Sequence, residues 1–472
     1  MKRPGHFRRW MIVGTVLVTA AAAIGFWRDH AQAKVRRAHI PARPLLAGTL
    51  AERAAGAERR AARGSAALAE LGQLYHANGF LPEAAHCYRG LAQLEPRTAK
   101  WPHRLAAIYA GAGRLEDAAA LWERTLRLAP DYAPALIRLG DVRLKLNRAA
   151  EAATAYNTVL AHEKDNAFAL AGLARLDLAA GRAVAAREKL ERAAAASGGR
   201  IGADLLATVC EQAGDHARAT ALRARAKASG AYHDPADPWI DEIMDDCLDA
   251  YRLTVAAGFA DHAGDTARAL HLIERALRLA PDNAPAHFQA GLLAQKKRDA
   301  GAARAAFEAC VRAAPDFSDG WLRLVELHAA ARDEAAAMRA LAAGLAHNPA
   351  SGGLLAEQAR RVAATGRHAE AADLFERSLR ARPDDADTAV KLAGAYFRLE
   401  RVADGVTALN HALAAEPDHP GALTTLALHA IGGGDEAAAR SWLDRVRSQP
   451  RVPAAMADEL AREFRRRFGR EP

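Results

Sequence analysis

GRHAEAADLFERSLRARP, residues 366–383, opens on a glycine, runs through a small and a large residue one helical turn apart, and closes on a proline. Glycine enters the left-handed region without steric cost, so Gly366 suits a turn between helices. Ala371 is small enough to let two helices touch, and Phe375 is large enough to fill the groove beside it. Proline lacks an amide hydrogen, so Pro383 sits well just past a helix end. The same order recurs at Gly113, Ala118, Trp122 and Pro130.

Working outward, Pro96 and Pro130 are 34 residues apart, and Pro281, Pro315, Pro349, Pro383 and Pro417 follow one another at the same step. Twelve residues before these prolines lie Ala84, Ala118, Ala269, Ala303, Ala337, Ala371 and Gly405. Eight before lie Tyr88, Trp122, Ile273, Phe307, Leu341, Phe375 and Leu409. Seventeen before, glycine recurs at Gly79, Gly113, Gly264 and Gly366. Each period predicts one helical hairpin. A chain rich in Ala, Leu, Arg and Glu favours helix, and no segment alternates as a strand would. An array of hairpins that pack only on their neighbours lets 472 residues fold without one large core.

The pattern resembles the tetratricopeptide repeat family, on Leu71-Gly72-x-x-Tyr75, Gly79, Ala84, Tyr88, Pro96 and their echoes. The resemblance covers most of residues 65–453. Units start near 65, 99, 133 and 167 and again near 250, 284, 318, 352, 386 and 420, with a worn unit at roughly 200–228. The third and fourth lack the proline, with Lys164 and Gly198 in its place. The expected fold is all-α, a helical-hairpin solenoid in two arrays, 65–228 and 250–453. Residues 454–472 supply a capping helix and tail, with Leu460 and Phe464 on one face.

The arrays differ in phase, because Pro130 and Pro281 are not separated by a multiple of 34. The slip falls in residues 229–249, where seven acids occur without a Lys or Arg. Asp237 suits an N-cap and Pro238 the first helical position. A helix starting there would carry Asp241, Asp245 and Asp249 as one acidic stripe. Such a stripe reads first as a solvated helix face, and alternatively as a site for a divalent cation or a basic partner. No Asp-x-Asp-x-Asp-Gly loop supports calcium. Trp239 is expected as a buried wedge.

At the other end, Lys2, Arg3, Arg8 and Arg9 precede an uncharged stretch from Trp10 to Trp27. Its length just spans a hydrocarbon layer as helix. The expectation is a cytoplasmic basic tail (1–9), a transmembrane anchor (10–27) and a spacer with a lead-in helix (28–64). The repeats would then lie on the extracytoplasmic or periplasmic side. The alternative is a signal peptide cleaved near Ala33, after Ala31-Gln32-Ala33. Residues 1–64 carry 13 Lys/Arg against 3 Asp/Glu, leaving 52 bases and 53 acids for the rest of the chain. The net charge of +9 therefore belongs to the membrane end, and no nucleic-acid partner is expected.

The sequence has no phosphate-binding loop, no His-Glu-x-x-His and no Gly-x-Ser-x-Gly. Asp215-His216 and Asp261-His262 read as polar turn residues. Cys87, Cys210, Cys247 and Cys310 are too far apart in sequence for a local metal or redox pair. No catalytic residue, metal, cofactor or small-molecule substrate is expected. The family resemblance implies protein binding on a concave wall formed by the first helix of each hairpin. In this register the wall carries His76, His103, Asp141, Lys145 and Arg175 in the first array. In the second it carries Tyr251, Phe288, Lys296, Glu326, Arg360 and Arg398. The Lys/Asn/Arg clamp of chaperone-tail binders is not reproduced, since Ala69 and Gln73 stand at its first positions. The expected role is a membrane-tethered scaffold for peptide or helix segments of proteins. Alternatives are an accessory subunit of an envelope enzyme or assembly complex, and an enzyme with its site at the acidic connector.

Overall fold

A computed structural model describes residues 5–199, 201–229, 235–449 and 452–472, with side chains outside that description at 5–21, 217 and 224–229. Among the described residues the chain is helical, with no strand. A helix Gly5–Ala38 and a helix Gly48–Ala61 precede the repeats. Hairpins then follow, beginning with Ser65–Ala77 and Leu81–Leu94, Lys100–Gly111 and Leu115–Leu128, and Ala133–Lys145 and Ala149–His162. They continue through Pro420–Gly433 and Glu436–Arg447, and the helix Ala454–Phe468 follows.

Local chemistry explains the element ends. Asn166, Asp265, Asn283, Asp299, Asp333, Ser351, Asp385 and Asp435 each accept a hydrogen bond from the backbone amide three residues on. Each thereby satisfies one of the free amides that open a helix. The first helices close through paired backbone bonds. Arg401 N donates to Tyr396 O and Glu400 N to Phe397 O, with Glu400 at φ 57°. The left-handed residue appears at Gly79, Gly113, Gly264 and Gly366, and also at Asn147, Arg298, Arg332 and Glu400. These last four hold the same register position as the glycines, so the backbone turn is kept where its preferred residue is absent.

The packing follows the small-large pairing. A Cβ on Gly72, Gly140 or Gly291 would lie 3.1, 2.6 or 2.5 Å from the ring of Tyr88, Tyr156 or Phe307, respectively. Ala257, Ala359 and Ala393 stand at the same offset from Ile273, Phe375 and Leu409, all buried. At about 25 cal/mol per Å² of apolar surface buried, burial of the large side chain, aromatic or aliphatic, stabilises each hairpin. The four cysteines are buried.

The chain divides into two compact units. One comprises Met1–Ser197 with His233–Ala256, the other Gly198–Tyr232 with Ala257–Pro472. Each is discontinuous in sequence. In the second, Thr220 Oγ1 donates to Asp418 Oδ2 at 2.7 Å, tying the helix His216–Ser229 to the turn before Pro420. In the first, the helix Gly5–Ala38 continues past Trp27 and packs on the repeats at its end. Arg36 is buried there, with Nε 3.4 Å from Ala62 O, and His86 Nε2 donates to Ala38 O at 2.9 Å. Residues 28–38 are therefore helix rather than open spacer. Among the described residues no helix is long and apolar enough to cross a membrane. Most of the expected span 10–27 has its side chains outside them.

Candidate functional site

The first unit holds residues 235–249 against the face made by the first helices of its hairpins. The expected acidic stripe does not form there. The helix begun by Pro238 lasts only to Asp241, a 3-10 turn Glu242–Asp246 follows, and Cys247 is extended at φ −71°, ψ 129°. The acids consequently point in different directions. Asp241 accepts from the Asp237 amide at 3.2 Å, and Asp249 caps the next helix through the Tyr251 and Arg252 amides.

Asp237, Glu242 and Asp246 instead enter the face. Asp237 is 2% exposed and accepts from His103 Nε2 at 2.7 Å and Tyr132 Oη at 2.7 Å, with Arg138 Nε 3.4 Å away. Burial alone would raise its carboxyl pKa. The His103 hydrogen bond and charge, the Tyr132 hydroxyl and Arg138 outweigh that and hold it below the ordinary 3.8. Trp239 stacks on Tyr132 with ring centroids 3.7 Å apart and 17° between planes. Glu242 accepts from Lys100 Nζ at 2.7 Å and from the fully buried Arg104. Asp246 pairs with Arg53 at 2.5 Å.

Two groups grip the backbone of the segment. Arg104 Nε donates to Trp239 O at 2.7 Å. The Asn78 amide group spans two peptide units, donating to Asp246 O at 3.2 Å and accepting from Leu248 N at 2.8 Å. An Asn side chain has both a donor and an acceptor, so it can bind extended backbone on both sides whatever the sequence. His103 Nδ1 and Arg104 Nη1 remain buried without a hydrogen-bond partner.

The residues expected on the wall have varied surroundings. His103 lies under residues 235–249 and is fully buried. His76 is half-buried edge-on to Tyr88, with ring centroids 5.8 Å apart. Burial, with the charges of Arg104 and Arg252, lowers its pKa to about 3, so it is neutral near pH 7. Asp141 accepts from Tyr156 Oη at 2.7 Å and from Arg175 at 2.8 Å. Lys145 is exposed.

Among the second-array residues, Tyr251 is 69% exposed. Phe288 packs between Phe307 and Phe317. Lys296 pairs with Asp261 at 2.6 Å, Glu326 with Arg323 at 2.8 Å and Arg360 with Glu357 at 2.7 Å. Arg398 is exposed. Sequence reasoning missed Arg53, Asn78, Lys100, Arg104, Tyr132 and Arg138, the residues that hold the segment along with His103. Among the described residues no group of three or more His, Cys, Asp or Glu could hold a metal ion.

Comparison with known proteins gives a consistent repeat type. Residues 109–176 and 362–414 match one tetratricopeptide-repeat model, and residues 260–316 and 390–454 match a second. No curated protein matches the chain. Among solved structures, yeast Tom70 is similar at 14% identity, covering 86% of this chain and 97% of that one, with a TM-score of 0.38. The Cut9 and Hcn1 hetero-tetramer of the APC/C matches at 12% identity over 88% of this chain and 99% of that one, TM-score 0.40. YrrB, described as a TPR protein with an unusual peptide-binding site, matches at 23% identity over 40% and 97%, TM-score 0.30. With hairpins of 34-residue period and two matching models over both halves, this chain carries tetratricopeptide repeats.

Proposed function

We propose that the chain is a non-enzymatic scaffold that binds peptide or helix segments of partner proteins. In this reading residues 10–27 tether it to a membrane, with the repeats on the extracytoplasmic side. The observation that carries the binding half is the grip on residues 235–249. A face that holds an irregular segment by its backbone and by the side chains at 237, 239, 242 and 246 has the chemistry of peptide recognition. Tyr251, Lys145 and Arg398 remain exposed and are candidates for further contacts. The tether rests on the uncharged stretch Trp10–Trp27 behind Lys2, Arg3, Arg8 and Arg9. A catalytic site at the connector is disfavoured, because Asp237, Glu242 and Asp246 are each committed to a cation or a hydrogen-bond donor.

A photo-crosslinking residue placed at Arg360 or Arg398 in intact cells tests the binding half. Discrete protein adducts are expected, lost from the Arg360 probe by Arg398→Glu and from the Arg398 probe by Arg360→Glu, and absence of any adduct at both positions removes a partner at the second unit. Alkaline extraction of membranes tests the tether. The full chain should stay in the pellet, and a chain lacking residues 10–27 should be released. Release of the full chain overturns the tether alone.

A further inference from the structure

Residues 235–249 have no place in the 34-residue register, yet they are bonded at one position after another to residues of three successive hairpins and of the helix Gly48–Ala61. We propose that this segment is a tethered ligand, and that the first-unit face is a receptor for acidic peptides of the form Asp-Pro-Trp-x-x-Glu. Such a peptide, supplied by another protein, enters in trans by displacing the tethered copy. The inference rests on the peptide-binding reading above and gives it a ligand class.

Three observations carry it. The first is charge. The connector has seven acids and no Lys or Arg, and the face meets it with Arg53, Lys100, Arg104 and Arg138. The second is the division of labour among contacts. Asn78 and Arg104 hold peptide groups, which any sequence offers, and the remaining groups read side chains at fixed spacing. His103 and Tyr132 take the acid at Asp237, the Tyr132 ring takes the indole two residues on, and Lys100 with Arg104 takes the acid at Glu242. The third is that the resident leaves capacity unused. His103 Nδ1 and Arg104 Nη1 are buried without a hydrogen-bond partner. The segment is also held mainly by polar groups. Within 235–249 the buried apolar side chains are Pro235, Ile243 and Cys247, with Leu248 packed partly buried on the neighbouring core, and the other ties are polar or, at Trp239, a half-buried stack.

A tethered ligand lowers the apparent affinity for a free one by the fraction of molecules whose face is open. Weakening the tethered copy while leaving the face intact should therefore raise affinity in trans. The test uses the full-length chain and a fluorescent peptide of residues 235–249 carrying Cys247→Ser. Binding is read by anisotropy to wild type, to Asp237→Asn/Glu242→Gln, and to that double variant with Lys100→Glu added. The double variant should bind at least about tenfold more tightly than wild type. Lys100→Glu, or Trp239→Ala in the peptide, should return it to the wild-type level. As a second measurement, excess peptide should speed amide exchange at 239–248 of the wild-type chain.

Equal binding of a scrambled peptide overturns the motif. No binding to a double variant that melts like wild type overturns the receptor, as does a double variant that fails to fold, since the segment would then be structural. If those results came with crosslinks at Arg360 or Arg398, the scaffold reading would stand without the tethered ligand. Peptide binding without any crosslink would leave the receptor and remove a partner at the second unit.

Discussion

His103 and Asp237 lie 134 residues apart in sequence and share a buried hydrogen bond of 2.7 Å. The imidazole is fully buried and the carboxyl nearly so. Removing one member of such a pair strands the other, so Asp237→Ala should loosen residues 235–249 by about 3 kcal/mol. The sign with pH follows from the carboxyl, whose folded pKa is held below 3.8. A depressed folded pKa contributes stability that is fully present above the unfolded value and is lost as pH falls through the folded one. The fluorescence difference between wild type and Trp239→Phe should therefore hold constant from neutral pH down to the ordinary aspartate range. Below pH 3.8 it should collapse toward that of free peptide. A transition near neutral pH would contradict this assignment.

Trp239 and Tyr132 form the second tie, with centroids 3.7 Å apart. Trp239→Ala removes the stacked ring, and the half-buried position makes the expected loss about 2 kcal/mol. Amides at 239–248 should then exchange roughly thirtyfold faster, since each 1.4 kcal/mol is a factor of ten. Trp239→Phe should keep much of the protection. Unchanged exchange in the Ala variant would show that the stack does not hold the segment.

These two ties were the part hardest to read from sequence. The hairpins were legible because their signal is local and repeated. Gly366, Ala371, Phe375 and Pro383 recur at fixed spacing and need only neighbouring repeats to act. The docking of 235–249 depends instead on complementarity across long sequence separations, for which no periodicity exists. Lys100 stands at the second position of the unit that starts near 99, the place the wall residue Tyr251 holds in the unit that starts near 250, and only its partner was missing. Asn78 sits past the end of its helix, outside those positions. The acidic stripe failed for a physical reason. Asn78 binds Asp246 O and Leu248 N and so stabilises extended backbone at Cys247, where an unbroken helix would have continued. The available clue was the acid count of the connector, which called for cations nearby.

The turn positions give a test of the repeat itself. Glu400 holds φ 57° and Arg332 φ 60°, where Gly366 in the repeat between them holds φ +81°. A non-glycine residue in the left-handed region costs about 1–2 kcal/mol, partly offset by the entropy glycine loses on folding. Glu400→Gly should thus raise stability by about 0.5 kcal/mol, whereas Gly366→Ala should lower it by about 1 kcal/mol. Thermal unfolding of the two variants beside wild type checks both signs. A destabilised Glu400→Gly would mean that the exposed Glu400 side chain makes a contact worth more than the strain.

Tyr156 couples the packing of two repeats to a pair of wall residues. Its fully buried ring lies where a Cβ on Gly140 would come within 2.6 Å and one on Gly172 within 2.4 Å. Its hydroxyl donates to Asp141, which also accepts from Arg175 in the next repeat. Gly172→Ala has no room unless the ring moves, and overpacking of this kind costs about 2–3 kcal/mol. Moving the ring also pulls the hydroxyl off Asp141, so Arg175 should become more mobile in the same variant. Tyr156→Phe keeps the ring and removes the hydroxyl, at a smaller cost of about 1 kcal/mol. Tyr156→Leu vacates the space above Gly172, so the cost of Gly172→Ala should nearly vanish in that background. A double-mutant cycle on unfolding free energy measures this directly, with a coupling of about 2 kcal/mol expected. Additive effects would show that the ring does not depend on Gly172 and that the small-large pairing is not what joins these repeats.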